Sequence, residues 1–202
     1  MSGRVAAVLA RRGEIMRRAL GMDYGQFEQS PIAFDYEAMM TAHGYSLAEI
    51  ATIQRRAGVG GTPLLELRNL TELVRSISAP CMGARIFVKD EAANLAGAFK
   101  DRRASISIHL AQEKGYAGVV AATSGNYGAA VASQAARAGL KCIIVQETFD
   151  GRHIGQPEIL EKSRVCEAYG AEVVQMSVGP ELFAHMLELL DETGFFAASL
   201  YS

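Results

Sequence analysis

Lys100 is the residue of this sequence with the clearest chemical potential. It ends a turn-rich loop and stands at the start of a predicted helix. A lysine amine becomes a useful nucleophile where apolar or cationic neighbours disfavour its charged form, and Lys100 lies between Phe99 and the pair Arg102 and Arg103. An amine held in this way can form a Schiff base with an aldehyde. The alternative is that Lys100 belongs to the charged first turn of a surface helix.

A second loop, residues 123–128, follows a short apolar strand and opens another helix. The unpaired N–H groups at the start of a helix bind anions. Ser124 supplies a hydroxyl, Gly125 lets a ligand approach the backbone, and Asn126 offers an amide that can donate or accept. The loop can therefore hold a carboxylate or a phenolic oxygen. It can equally be a plain N-cap, in which Thr123 or Ser124 satisfies the first turn. Together with the lysine, it suggests an aldehyde cofactor and a carboxylate substrate.

Composition excludes several classes of function. The chain has 202 residues, half of them hydrophobic, and a formal net charge of −2, which is typical of a globular protein with a core of its own. Its charges are spread along the chain, so neither nucleic acid nor a membrane is expected as a partner. The arginines between residues 11 and 18 are interpreted as a solvated or subunit-facing helix surface. The apolar stretch Val5–Ala10 is too short for a membrane span.

Cysteine and histidine usage points to a reduced, metal-free protein. Cys81, Cys142 and Cys166 are odd in number and far apart, which argues against a disulfide framework and a close-spaced zinc site. A cytoplasmic location follows as the expectation. The histidines are isolated in the sequence, and no metal-ligating group is predicted.

The elements that must position these loops form a regular alternation. A helix over 4–20, ended by Gly21, and short helices over 35–42 and 46–57 are predicted first, followed by a helix near 69–78 and a strand over 84–89. The later elements alternate in type. They are helices over 100–114, 126–138, 156–169 and 179–193, and strands over 118–122, 141–146, 172–176 and 195–199. This pattern predicts an α/β fold with parallel strands flanked by helices.

Two regions are expected, of which one forms a domain by itself and the other is part of a larger domain. Residues 115–202 are predicted to form a smaller, three-layer βα domain with a parallel sheet. Residues 1–114 supply the N-terminal helices and part of a larger domain, whose remainder is expected to be absent. Because the sequence stops directly after an apolar strand, we expect a truncated chain.

Three motifs in order resemble one enzyme family. Gly61-Thr62-Pro63-Leu64-Leu65 is similar to a substrate-entry motif, Lys89–Arg102 to a lysine motif, and Thr123–Gly128 to an asparagine loop. All three are features of fold-type II pyridoxal-phosphate enzymes, the group of tryptophan synthase β and threonine synthase. The resemblance covers at least residues 58–200 and implies pyridoxal 5′-phosphate as cofactor.

The resemblance also implies roles for individual residues. Lys100 would bind the cofactor aldehyde and later move the α-proton of the substrate. Asn126 would donate to the ring oxygen of the cofactor. The substrate carboxylate site would be formed by Thr123, Ser124, Gly125 and Tyr127.

Finer features narrow the resemblance to a thiolase branch of this group. They are the runs Arg11–Met16, Pro31–Tyr36, Phe99–Ser105 and Gly155–Ile159. This resemblance implies cleavage of the small amino acid 2-amino-4-oxopentanoate with coenzyme A into alanine and acetyl-CoA, in ornithine degradation. It also implies a small α subunit as partner and a homodimer.

Two alternatives stay open at this point. One is a threonine-synthase-like lyase or a β/γ-replacement enzyme acting on a small amino acid. The other is a noncatalytic fragment that keeps the fold, because Ala98 stands where the family usually has a hydroxyl and the phosphate-binding loop of the family normally lies beyond residue 202.

Overall fold

The computed structural model describes residues 3–30, 33–177, 179 and 181–199. Pro31 and Ile32, in one of the runs that narrow the resemblance, lie outside these ranges, as does Pro180 of the predicted helix over 179–193. In the described part the helices are α1 (Gly3–Ala10), α2 (Arg12–Leu20), α3 (Tyr36–Ala42), α4 (Leu47–Arg56), α5 (Arg68–Ile77), α6 (Asp101–Glu113), α7 (Asn126–Ala138), α8 (Pro157–Ala168) and α9 (Glu181–Thr193). The strands are β1 (Glu28–Ser30), β2 (Ala33–Phe34), β3 (Leu64–Glu66), β4 (Phe87–Lys89), β5 (Gly118–Thr123), β6 (Lys141–Phe149), β7 (Glu172–Ser177) and β8 (Phe196–Ala197).

A four-stranded parallel sheet in the order β7-β6-β5-β8 forms the centre of the fold. The predicted parallel α/β architecture is therefore confirmed. Right-handed crossovers place α7 and α8 on one face of the sheet and α9 on the other, because the chain reverses its direction across the sheet after β7. Helix α6 packs on α7, while α1 and α2 pack on α9. Every residue of β5 is buried, as expected for a central strand covered on both faces.

Several helices are followed by a glycine in the left-handed conformation. Gly139 follows α7 with a φ of 68°, in the left-handed region that costs glycine little. Gly115, Gly170 and Gly194, each just beyond a helix, also have positive φ. A capping box opens α4, with Ser46 and Glu49 bonded reciprocally.

The predicted helix over 4–20 is wrong in one respect, because it is broken at Arg11 into α1 and α2. Helix α2 buries Ile15 and Met16 completely in the core. On its surface Arg11 and Arg18 both form ion pairs with Asp191 of α9. These two arginines therefore connect α2 and the residue before it to α9 and are not simply solvated.

The predicted strand over 84–89 is shorter in the structure. The N–H of Ile86 donates to the hydroxyl of Thr71, and its carbonyl accepts from Leu67. These bonds tie the residues before β4 to the start of α5, so only Phe87–Lys89 pairs with β3, in antiparallel register.

The unit made by β3, β4 and α5 exposes apolar side chains on its surface. Thr71 is the buried residue of α5, and no residue of β3 or β4 is buried. The exposed apolar side chains of this unit are Leu64, Leu65, Leu70, Leu73, Ile77, Phe87 and Val88. We call this surface the hairpin face.

The three cysteines differ in their surroundings. Cys81 is exposed, whereas Cys142 on β6 and Cys166 on α8 are buried, and all three are free thiols. Burial raises the pKa of Cys142 to about 12 and that of Cys166 to about 11. Both buried thiols stay protonated at neutral pH and act as small apolar side chains of the core.

Candidate functional site

The loop 123–128 lies at the carboxyl end of β5, where ligands bind in open parallel sheets. Thr123 is buried, and its hydroxyl accepts from the N–H groups of Gly125 at 3.1 Å and Gly128 at 3.3 Å. Its side chain therefore shapes the turn, as in the N-cap alternative. Between those two groups, the N–H groups of Asn126 and Tyr127 in the first turn of α7 are left for a bound anion.

Ser124 and Asn126 are the polar side chains of this loop that solvent can reach, and both are exposed. Gly125 between them has φ 155° and ψ −111°, a conformation that side chains rarely adopt. A Cβ at this position would meet no atom within 4 Å, so the backbone requires glycine here and packing does not.

Tyr127 does not present its hydroxyl to solvent. The side chain is buried, and its hydroxyl donates to the carbonyl of Ala198 at 2.5 Å and lies 3.4 Å from the hydroxyl of Ser107. Burial raises the pKa of this phenol above its ordinary value. Tyr127 therefore anchors α7 to the residue that follows strand β8, and its ring forms part of a cleft wall.

Lys100 immediately precedes α6, and its carbonyl accepts from the N–H of Ala104 at 3.0 Å. The side chain is half-buried, and its Nζ lies 4.7 Å from the centre of the exposed ring of Phe99. The apolar neighbour expected from the sequence is therefore in place.

Two hydrogen bonds hold the loop before Lys100, one to the helix that follows it and one to an earlier segment of the chain. The carboxylate of Asp101, which is fully buried, accepts from the N–H of Ala96 at 2.7 Å. The side chain of Asn94 accepts from the N–H of Gly60 at 3.0 Å. Burial raises the pKa of Asp101, while the bond from Ala96 opposes that effect. These contacts set the position from which Lys100 projects.

Arg102 does not serve Lys100 as a free cationic neighbour. Its guanidinium is bound by both carboxylate oxygens of Glu91, whose pKa is lowered to about 2 mainly by this bond and by a second one from Thr62. The charge of Arg102 is thus neutralised within the loop. Arg103 is the arginine that faces the site.

One cleft of about 570 Å³ brings the two loops together. Lys100 and the loop residues Thr123, Ser124, Gly125, Asn126 and Tyr127 all line it, so the residues predicted from the sequence converge on one place. Arg103 adds a second cation to its wall, and Glu147 adds a carboxylate. With the N-terminus of α7 in the same wall, the cleft favours anionic ligands.

Residues that sequence reasoning missed fall into two kinds. Asp101, Glu91 and Asn94 stand in the lysine motif, but their supporting role becomes visible only in the hydrogen bonds that form when the loop folds. Glu147 follows the predicted end of its strand at 146 and enters the cleft because β6 continues to Phe149. A polar residue just beyond a buried parallel strand is the signal that could have identified it.

Two further properties of the described residues bear on function. They contain no group of three or more histidine, cysteine or acidic residues placed to hold a metal ion. Within the same ranges, none of the helices is long and apolar enough to cross a membrane.

Comparison with protein families gives one match over most of the chain. The family model described as "Pyridoxal-phosphate dependent enzyme" matches residues 55–202. A 2-amino-4-ketopentanoate thiolase beta subunit from an unknown prokaryotic organism is 68% identical over 196 residues, which is 97% of this chain and 42% of the relative. The subunit of the same name from Acetoanaerobium sticklandii is 62% identical over 197 residues, which is 98% of this chain and 42% of the relative.

Solved structures give a consistent result for the fold. Maize serine racemase superposes with a TM-score of 0.59 at 27% sequence identity, over 77% of this chain and 44% of the racemase. The present chain spans about 42% of the length of the two curated relatives.

Proposed function

Because the chain belongs to the pyridoxal-phosphate-dependent enzyme family, we propose that it forms the lysine-bearing part of a thiolase β subunit that cleaves 2-amino-4-oxopentanoate with coenzyme A. The identity of 62–68% over nearly the whole chain to subunits of that name supports this choice over a threonine-synthase-like lyase. We further propose an ornithine-degrading role, a small α subunit as partner, assembly as a homodimer and a cytoplasmic location.

The convergence of Lys100 and Asn126 on one cleft carries the proposal. The cleft of about 570 Å³ offers an amine for an aldehyde, an amide donor for a phenolic oxygen and a helix N-terminus for an anion. The amine and the amide suit pyridoxal 5′-phosphate, the cofactor for which the family is named, and the helix N-terminus suits the carboxylate of the substrate. When bound, the cofactor supplies an electron sink for bonds broken next to the amino group.

Five residues of the cleft have a task in this proposal. Lys100 would hold the cofactor through its amine and would take the proton from the α-carbon of the substrate. Asn126 donates its amide to the ring oxygen. Ser124 and the N–H groups at the start of α7 bind the substrate carboxylate, with Gly125 allowing its close approach. Thr123 keeps this loop in shape through its bonds to the backbone.

The overall reaction balances as a transfer of an acetyl group to sulfur. The sulfur of coenzyme A bonds to carbon 4 of 2-amino-4-oxopentanoate, and the bond between carbons 3 and 4 breaks. The electron pair of that bond stays with carbon 3, which finally receives the proton given up by the thiol. The products are acetyl-CoA and alanine.

Reductive trapping tests the proposal. The chain is incubated with pyridoxal phosphate, reduced with borohydride and mapped by peptide mass spectrometry, alone and when extended to the length of the curated relatives. We expect labelling concentrated on Lys100. Equal labelling of all lysines, or labelling that avoids Lys100 in both polypeptides, would contradict it. Formation of acetyl-CoA from 2-amino-4-oxopentanoate by the extended polypeptide with its α subunit then tests the substrate.

A further inference from the structure

A second cavity, of about 240 Å³, borders the cleft that contains Lys100. The two cavities share Arg103 in their walls. The second cavity, which we call the side pocket, is mainly apolar. Its apolar lining includes Leu20, Met39, Met40, Ile50, Leu110 and Phe196.

Arg103 stands where the side pocket meets the cleft. Its guanidinium carbon lies 5.9 Å from the ring centre of Tyr36, which lines the side pocket, and 4.8 Å from that of Tyr127, which lines the cleft. Among the described residues it has no acidic partner and no hydrogen bond, in contrast to Arg102 beside it. A cation without a protein anion is thus available to a ligand at this junction.

Two further polar side chains of the side pocket limit the choice of occupant. Ser107 and His43 both line it. The pKa of His43 is lowered, chiefly by burial, so its imidazole is neutral at pH 7 and can donate one hydrogen bond and accept another. The walls therefore suit a narrow arm that is largely apolar, carries an amide and ends in an anionic group. A nucleotide, which is polar along its whole length, does not suit these mainly apolar walls.

We propose that the side pocket holds the pantetheine arm of the thiol acceptor, and that Arg103 pairs with the thiolate at its end. The choice of a thiol rests on the proposed thiolase function, whereas the pocket and the unpaired cation do not. A guanidinium next to the sulfur favours its ionised form. In this position the sulfur faces the cleft lined by Lys100, with the arm held behind it.

Binding of pantetheine to the 202-residue chain, without pyridoxal phosphate, tests the pocket. Met40→Trp fills it with a bulky ring, and Met22→Trp makes the same change at another partly buried methionine outside it. We expect pantetheine, followed by calorimetry, to bind Met40→Trp at least about tenfold more weakly than the unchanged chain, a difference of about 1.4 kcal/mol. Met22→Trp should bind it normally. Equal binding by both variants, or no binding by the unchanged chain at millimolar pantetheine, would overturn the proposal.

The role of Arg103 has its own readout. Pantetheine should bind the unchanged chain more tightly as the pH rises from 7 to 9, because more of the thiol is ionised, whereas S-methylpantetheine should not. Arg103→Gln should abolish that pH dependence, and Arg164→Gln, at an exposed arginine of α8, should keep it. An unchanged pH dependence in Arg103→Gln rules out the thiolate contact.

Crosslinking of the unchanged chain guards against misfolded variants. A pantetheine analogue with a diazirine on its arm should attach at Leu20 or within residues 36–50, 103–110 or 196–198, the segments that line the side pocket. Attachment only outside these segments would overturn the proposal even if the tryptophan variants fail to fold. Because none of these measurements needs cofactor, labelling of Lys100 without pantetheine binding would remove this inference and leave the proposed function standing.

Discussion

Glu91 holds Arg102 through both of its carboxylate oxygens, with 2.7 Å from Oε2 to Nε and 2.8 Å from Oε1 to Nη2. The pair connects the start of the loop that leads to Lys100 with the first turn of the helix that follows it. Fork-like pairing of this kind has a defined geometry as well as a charge. It therefore restrains both sides of the lysine.

This pair predicts a pH-dependent contribution to stability. The pKa of Glu91 is lowered from its ordinary value of 4.5 to about 2, so the folded state favours the ionised carboxylate. Its contribution should be fully present above pH 4.5 and be lost as the pH falls through about 2. Urea unfolding should show Glu91→Gln less stable than the unchanged chain at pH 6 and equal to it near pH 2. Glu167→Gln, at an exposed residue of α8, serves as control. A gap that persists at pH 2 would show that the stabilisation does not come from the ionised carboxylate.

Replacement of Lys100 should separate cofactor attachment from folding. Lys100→Ala is expected to abolish the borohydride-reducible adduct, because no other amine lines the cleft among the described residues. Thermal unfolding should change by no more than about 0.5 kcal/mol, as for a surface side chain. Lys141→Ala, at an exposed lysine that starts β6, should keep the adduct. An adduct retained in Lys100→Ala at the same yield would refute the assignment.

Asn126 should affect the strength of cofactor binding without affecting the covalent link. Asn126→Ala removes an amide from the cleft but leaves the helix start intact, since alanine is a good helix former. Loss of one hydrogen bond to a charged oxygen, worth about 1.5–3 kcal/mol, should weaken binding about ten- to hundredfold. Absorbance titration with pyridoxal phosphate measures it, with the exposed Asn69→Ala as control. Equal affinities for the two variants would exclude Asn126 from the site.

Gly128 should resist replacement by alanine for a steric reason. A Cβ there would lie 2.7 Å from Cγ2 of Thr123 and 3.0 Å from Cγ2 of Ile144. We expect Gly128→Ala to lose about 1–3 kcal/mol of stability through overpacking. Gly13, also in the first turn of a helix, has no atom within 4 Å of such a Cβ, so Gly13→Ala should gain up to about 1 kcal/mol. Chemical denaturation measures the free energy of unfolding of both variants. A Gly128→Ala variant more stable than the unchanged chain would contradict the observed packing.

A buried hydrogen bond between α8 and β6 should contribute measurably to the free energy of unfolding. The hydroxyl of Ser163 donates to Oε1 of Gln146, a side chain with no exposed surface. Ser163→Ala leaves that carbonyl without this donor and should cost about 1–3 kcal/mol. Ser76→Ala provides the comparison, since its hydroxyl bonds to a carbonyl of its own exposed helix. A similar cost for both variants in urea unfolding would show that the contact with Gln146 contributes nothing of its own.

The regular part of the fold could be predicted because its signals are local. From α6 to α9, apolar strands alternate with helices ended by glycine, and the predicted bounds agree with the structure to within a few residues. The break at Arg11 could not be predicted, because two short helices that both pack on α9 carry the same apolar pattern as one long helix. Likewise, the residues before β4 look like a strand, but their backbone groups bond to α5.

The candidate site likewise has parts that local signals predict and parts that depend on contacts formed on folding. Loops 89–100 and 123–128 could be identified because each presents reactive side chains at the start of a helix. The partner of Arg102 could not be identified, since Glu91 is eleven residues away and only folding of the intervening loop brings the two together. The position of Arg103 between the two cavities could not be predicted either, because its two aromatic neighbours, Tyr36 and Tyr127, come from distant parts of the chain.

The two buried thiols can report how often the central sheet opens. Cys81 is exposed and should react with an alkylating reagent within the mixing time, whereas Cys142 and Cys166 are shielded from it. Because both stay protonated as well as buried, each should react only in molecules whose sheet has opened. The rate at which the chain gains mass by alkylation, followed over hours, would then measure how often the region around β6 and α8 opens. No added dye or label is required.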